Sequence, residues 1–328
     1  MNNFARKNCY TPTQEELEFV QGLDVSKLPR IACVVPSFNQ GDFLADTLDS
    51  ILNQNYPALE IFVADGGSSD NSAAILADYA QRYQDVLRYD SAPDGGHHLG
   101  VNKAIDNTTG DIIAWINSDD IYVPMAFWNI ACFFYFNRCA LVVYGKSEYV
   151  TPSLEKICDY PVEWTPDQEE LRRMMQHRCI IPQPSLFFRR AAVEMAGKLL
   201  SRSVVDYELW MRWLKKIPFY YCDVLLSKAK VYKNSISAQA NTTLLTNICQ
   251  EVHHYYQGVP LSWCLAMAHN IAYGAAWARG ESPPMTRLIR LHGVFLFIKL
   301  NMRWLPRTIN KEIESFFKFM REMVRGRV

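Results

Sequence analysis

The chain has no run of 18 uninterrupted apolar residues, so a helix that spans a bilayer is not expected. Its first 19 residues, MNNFARKNCYTPTQEELEF, lack the apolar stretch of a secretory leader. Nine cysteines are present but no two form a C-x-x-C pair, which removes the common zinc and redox spacings. Their odd number and scatter suit a reducing compartment, and the expected location is cytoplasmic. No G-x-G-x-x-G follows the first strand-like segment and no G-x-x-x-x-G-K-[ST] occurs, which excludes a Rossmann dinucleotide site and a P-loop. Net charge is also missing, with 34 basic and 34 acidic residues, but the balance is uneven. From residue 286 onward there are 10 Lys+Arg and 3 Asp+Glu, leaving 24 basic and 31 acidic residues in the first 285. An acidic body argues against nucleic acid as a partner, and a basic tail suits an anionic surface. A length of 328 residues and 49% hydrophobic content allow one large domain or two ordinary ones.

What the chain does hold is a series of short apolar runs that end in polar turns. The sharpest is residues 110–120, GDIIAWINSDD, in which Ile112 to Ile116 read as a buried strand. An acidic pair at the C-terminal end of such a strand lies where α/β sheets place ligands. Alternation along an extended chain would send Asp119 and Asp120 to different sides, one towards a metal and one towards a ribose or sugar hydroxyl. A helix N-cap is the competing reading, and the stretch alone does not choose between them.

Earlier in the chain, residues 31–35 (IACVV) read as a strand stopped by Pro36, and residues 42–53 as a helix. Residues 60–64 form a second strand ending in Asp65-Gly66-Gly67-Ser68-Ser69-Asp70, followed by a helix over 71–83 and a strand over 86–89. This alternation predicts an α/β fold with a parallel, doubly wound sheet. Turns of this kind aim backbone N–H groups at a ligand over the sheet edge, although a plain turn with an N-cap would look the same. A flexible loop, Pro93-Asp94-Gly95-Gly96-His97-His98, precedes a helix over 100–107 that would carry Asn102 and Lys103 towards an anionic ligand. His97 and His98 read as surface-loop residues. The aromatic run over 122–136 reads as a packed helix, 140–144 as a strand, and 151–178 as irregular loops on the acceptor side. Asp206 stands at the start of an amphipathic helix with Glu208 in its first turn, positions that also suit a cap and a dipole partner.

Seven segments in order carry a resemblance. They are PSFNQ (36–40), VADGGSSDNS (63–72), PDGG (93–96), NKAI (102–105), TGDIIAWINSDD (109–120), PQPSLFFRR (182–190) and DYELWMRW (206–213). Together they resemble the family 2 glycosyltransferases of GT-A fold, in the subgroup that builds bacterial surface polysaccharides. The resemblance implies that Pro36, Ser37, Phe38 and Asn39 frame a nucleobase and that Asp65 accepts a hydrogen bond from it beside Gly66. It places Asp94 in a loop that closes over the nucleotide, with Lys103 on the donor side. Ser118, Asp119 and Asp120 correspond to a D-x-D-like element. Asp120 would ligate Mn2+ or Mg2+, and Asp119 would contact the ribose or donor sugar. Asp206 matches the general base of an inverting transfer, with Gln183, Glu208 and Trp210 near the sugars. The implied partners are a UDP-, dTDP- or GDP-linked sugar and a glycan or polyprenyl-linked acceptor. Three departures stand out: Leu99 replaces an acidic residue, Tyr144-Gly145-Lys146 replaces Y-G-D, and Lys230-Val231-Tyr232 replaces a late R-x-H.

The expected organisation is a surface segment over 1–29, the catalytic domain over 30–240, and a helical region over 241–328. Within the last, residues 308–325 place apolar residues on one face beside Lys and Arg, which suits peripheral membrane contact through 286–328 or a second subunit. Two other functions compete: a nucleotidyltransferase, and a nucleotide- or glycan-binding module without turnover.

Overall fold

The structure is a computed structural model and describes residues 9–200, 204–232, 242–268 and 296. The chain divides into two compact units, one of Met1–Arg172 with Cys179–Ala238 and the other of Arg173–Arg178 with Gln239–Val328. In chain order the elements are β1 (Cys9–Tyr10), α1 (Gln14–Gln21), β2 (Ile31–Ser37), α2 (Leu44–Leu52), β3 (Leu59–Asp65), α3 (Ser72–Arg82), β4 (Leu87–Ser91) and α4 (His97–Asp106). Then come β5 (Ile112–Trp115), β6 (Ile121–Tyr122), α5 (Ala126–Phe136), β7 (Val142–Val150), β8 (Lys156–Asp159), α6 (Gln168–His177), β9 (Leu186–Arg189), α7 (Arg190–Ala196), α8 (Val205–Leu214), β10 (Phe219–Lys230) and α9 (Thr242–Tyr256).

The strands form one sheet in the order β1-β10-β7-β9-β5-β2-β3-β4. It is an α/β sheet and mostly parallel, with β9 running antiparallel to both β5 and β7. All seven residues of β2 are buried, so both of its faces are covered, which explains its unbroken apolar sequence. The aromatic helix α5 buries nine of its residues in the same core.

Several expectations need correcting. Two residues of the N-terminal segment enter the sheet rather than cover it: Cys9 and Tyr10 pair in parallel with Tyr221 and Cys222, and Tyr10 is buried against Phe133. The helix over 14–21 does form, capped reciprocally by Thr13 and Glu16. Pro36 does not stop β2, which runs on to Ser37. The O of Val34 accepts from Ile116 on the β5 side, and β5 pairs no further than Trp115. Two residues on, the missing N–H of Pro36 faces the side where that ladder has ended. Tyr122 lies in β6 rather than in a helix, and residues 151–178 hold the hairpin strand β8 and helix α6 rather than loops alone. The expected amphipathic tail over 286–328 lies outside the described residues apart from Leu296.

One side chain holds the start of β5 against the rest of the sheet. Glu60 Oε1 accepts from the N–H groups of Thr109 (2.6 Å) and Gly110, while Arg30 and Arg88 lie within 3.5 and 3.7 Å of its other oxygen. Gly110 must be glycine, since a Cβ there would lie 2.7 Å from the N of Ala32 in β2. Glu60→Ala would leave both N–H groups without this acceptor, at a cost of about 2–4 kcal/mol. A fall in stability of that size is expected in urea unfolding.

In the second unit, the described residues show how one helix end is satisfied. Ser262 Oγ donates to the O of His177, and Trp263 Nε1 donates to the O of Gln176, each at 3.0 Å.

Candidate active site

The turns after β2 and β3 are laced together by side chains. Asn39 sits in the left-handed region (φ +52°), where its N–H donates to Ser68 Oγ (2.7 Å) and its Oδ1 accepts from the N–H of Ser69 (2.8 Å). Asp70 accepts from the N–H of Gly41 at 2.8 Å. Asp65 is buried, and its carboxylate is held by Ser68 Oγ, the Ser68 N–H and Ser91 Oγ. Ser37 Oγ is buried and has no partner among the described residues. Phe38 projects from this lacing with 60% of its surface exposed. A Cβ at Gly66 would lie 3.3 Å from both Phe38 and Asp94, so an exposed ring, a bare backbone and a carboxylate meet at one place. The predicted nucleotide residues Phe38, Asn39, Asp65, Gly66 and Asp94 are thus brought together.

Lys103 has a partner of its own. Its ammonium pairs with Asp90 in β4, and neighbouring Asn102 bonds the backbone O and N–H of Leu199. Helix α4 also begins earlier than expected, at His97. The imidazole Nε2 lies 3.0 Å from Asn117 Oδ1, and the ring centroid is 5.8 Å from that of Trp115. His97 is on the surface as expected, but in the first turn of a helix rather than in a loop. Two glycines with positive φ, Gly95 (+80°) and Gly96 (+131°), let the chain turn into α4 just before it. Leu99 is 44% exposed, so the position expected to be acidic presents an apolar side chain.

The acidic pair does not cap a helix, because α5 begins only at Ala126. Asp119 and Asp120 do not point to different sides either. Residues 117–120 form a tight turn, with the N–H of Asp120 donating to the O of Asn117, so strand alternation no longer applies. Both carboxylates reach the end of β10. Tyr232 OH donates to Asp119 Oδ2 (2.9 Å), and the Lys230 N–H donates to Asp120 Oδ1 (3.1 Å). Lys230 is buried with its ammonium 2.8 Å from Asp46 and above the Phe43 ring, and Tyr232 packs on that same ring. Ser118 is buried at the turn. Polar side chains on and just after α2 fix the segment from behind. Thr47 Oγ1 donates to the O of Asp120, Ser50 Oγ accepts from the N–H of Tyr122, and the Gln54 amide bonds the O of Val123 and the N–H of Phe127.

Asp206 lies in the first turn of α8 and accepts from the N–H of Tyr207 at 2.8 Å; the N-cap position is Val204, so Asp206 is not the cap. Two residues expected beside it do other work. Glu208 is fully buried and forks onto Arg212, whose guanidinium also bonds the carbonyls of Ala196, Gly197 and Lys198. Trp210 is core, packed against Trp115, Trp213 and Phe219. Gln183 is buried too, its amide N–H2 donating to the O of Trp115 while its Oε1 has no partner among the described residues. Neither Glu208 nor Trp210 can meet a sugar from these positions.

Residues 32–194 match the sequence profile of glycosyl transferase family 2. Through this segment the chain belongs to that family. It is 25% identical over 216 residues to an uncharacterized glycosyltransferase of Rickettsia felis, a match that covers 62% of this chain and 34% of the relative. The chain thus spans about a third of that relative's own length. TuaG of Bacillus subtilis, a glycosyltransferase assigned to teichuronic acid biosynthesis, is 26% identical over 214 residues, covering 64% of this chain and 82% of the relative. Among solved structures, S. aureus TarS in complex with UDP-GlcNAc superposes with a TM-score of 0.55 at 16% identity, over 83% of this chain and 81% of that one. At that identity the likeness is one of fold, and the fold is GT-A.

A family 2 transferase of GT-A fold raises the question of a divalent ion. Among the described residues no three His, Cys, Asp or Glu side chains gather as a ligand set. The acidic turn still fits one. Its two carboxylates are hard oxygen donors, and Mg2+ or Mn2+ held by one or two carboxylates keeps waters on its other positions. Burial raises the pKa of both carboxyls, and Asp119 raises that of Asp120 further. The nearby ammonium of Lys230 is committed to Asp46.

A further carboxyl, Asp206, also has its pKa raised, by burial first, against the lowering effects of the Tyr207 N–H and of His97. A helix N-terminus was expected to keep it ionised, but desolvation wins. Because the folded-state value lies above the ordinary 3.8, the stabilising form is the protonated one. Its contribution is complete below about 3.8 and is lost as pH rises through the raised value. Asp206→Asn keeps the oxygen that accepts from Tyr207. It is expected to raise the Tm by a few degrees at pH 7, with the gain shrinking as pH falls towards 4. Equal melting at pH 7 would mean that the carboxylate is fully solvated.

Proposed function

We propose that the chain is an inverting glycosyltransferase. It moves a sugar from a nucleotide-diphosphate donor to a hydroxyl of a glycan or lipid-linked acceptor, with a divalent ion and with Asp206 as general base. The observation that carries this reading is that one imidazole is near both acidic features: His97 bonds Asn117 in the acidic turn and is within electrostatic range of both Asp119 and Asp206.

On the nucleotide side, the exposed ring of Phe38 offers a face for a base to stack on, and Gly66 lets the base approach the backbone. Asp65, held by Ser68 and Ser91, keeps lone pairs for a base N–H. Asp119 and Asp120 would hold Mn2+ or Mg2+, which when bound stabilises charge on the leaving diphosphate. Tyr232 and the Lys230 N–H fix the orientation of those carboxylates. Asp206 takes the proton of the attacking hydroxyl, and a raised pKa makes a carboxylate a better proton acceptor near neutral pH. A single displacement with the base facing the leaving group across the sugar inverts the anomeric centre. Glu208 is no rival base, since its charge is matched to Arg212.

UDP-linked sugars are the first donors to try, given that TarS was solved with UDP-GlcNAc. The membership of TuaG among the relatives suits a surface-polysaccharide acceptor. A second reading, a nucleotide-binding module without turnover, draws on the exposed Leu99.

Calorimetry with UDP-, dTDP- and GDP-linked hexoses, with and without Mn2+, tests the first half. At least one is expected to bind, and more tightly with the ion; binding to none of them sinks the reading. Asp120→Ala is expected to abolish the gain from Mn2+. Asp206→Asn is expected to keep donor affinity while transfer, or donor hydrolysis by water, drops about 10²–10⁴-fold. Unchanged turnover in that variant would place the base elsewhere.

A further inference from the structure

His97 is an exposed imidazole that is nonetheless held in place. It is the first residue of α4, set by the turn at Gly95 and Gly96, with its ring leaning on buried Trp115. Its second anchor is Asn117, the first residue of the acidic turn. With the Asn117 amide oriented as in the structure, Oδ1 is an acceptor, so Nε2 of His97 is the donor. A neutral ring then keeps Nδ1 as a bare acceptor.

The position matters as much as the tautomer. His97 is near enough to Asp119, on the leaving-group side, and to Asp206, on the acceptor side, for a charge on its ring to be felt at both. A group within range of both flanks the space that the transferred sugar crosses. Adjacent His98 has its ring beside Gly96, 3.7 Å from where a Cβ there would stand, and Leu99 offers no polar side-chain atom. The other polar residues expected in this region are engaged, Lys103 with Asp90 and Asn102 with Leu199.

We propose that His97 is a donor-sugar contact: its imidazole accepts a hydrogen bond from a hydroxyl of the transferred sugar and so selects among sugars carried by one nucleotide. This rests on the glycosyltransferase reading and adds the residue that recognises the sugar rather than the nucleotide. Specificity of this kind is built from a polar group that a matching hydroxyl satisfies and a wrong sugar leaves unpaired.

The test compares the nucleotide with its sugar conjugate, using UDP and a panel of UDP-hexoses in calorimetry with Mn2+. Wild type is expected to bind one conjugate more tightly than UDP. His97→Ala should keep its Tm and its affinity for UDP, and lose about ten-fold in affinity for that conjugate alone. His97→Gln, which retains an acceptor, should recover part of the loss and shift the order of preference among hexoses that differ at one hydroxyl. The proposal is overturned if His97→Ala binds the conjugate as wild type does. It is overturned equally if UDP and conjugate weaken together, which is the mark of a structural role, or if the sugar adds nothing to the affinity of wild type. A wild-type protein that binds none of the UDP, dTDP or GDP compounds would instead remove the glycosyltransferase reading itself.

Discussion

Two neighbouring carboxyl groups are held out of bulk water in the turn of residues 117–120, and much of the surrounding structure serves to tolerate them. Burial and mutual repulsion both act against their ionisation. The offsetting contacts come from far along the chain. The Lys230 N–H and Tyr232 OH each satisfy one carboxyl oxygen, and the Lys230 ammonium lowers the pKa of both groups while bound to Asp46. From the opposite side, Thr47, Ser50 and Gln54 pin the backbone that follows. A turn secured from two directions can carry a charge density that an unsupported loop would relieve by moving.

Much of the lacing between the turns after β2 and β3 was legible in the sequence because its residues sit in two short turns, 29 or 30 positions apart. The turns at 36–41 and 65–72 carry the Asn, Asp, Ser and Gly residues that such lacing needs, and they follow strands whose apolar runs were plain. The pairing of Glu208 with Arg212 was legible too, as an i,i+4 acid–base pair on a helix, and weighing it would have withdrawn Glu208 from the site. The rest depended on long-range partners. Nothing near Lys103 in sequence announces Asp90. The burial of Trp210 against Trp115 requires the sheet to be assembled. His97 was misread because the helix start was placed three residues late, which turned the first turn of a helix into a loop.

The late Lys230-Val231-Tyr232 shows how a departure from a family pattern can be absorbed. Where relatives often have an imidazole, a phenol reaches one carboxylate, and the backbone of the lysine reaches the other. The phenol packs on Phe43, at the start of α2, so the same residue ties the acidic turn to the first nucleotide turn through Gln40. The acidic turn and the turn after β2 share these supports.

The pairing of β1 with β10 has a bearing on how the chain acquires its fold. Cys9 must find Tyr221, and the acidic turn must find residues 110 or more positions downstream. Contacts so distant in sequence are slow to form, because a long loop has to close before they stabilise anything. During synthesis the sheet around β2, β3 and β4 can assemble early. The carboxyl pair then waits without its partners until β10 has emerged, so the supported form of this turn arises only once that strand is in place.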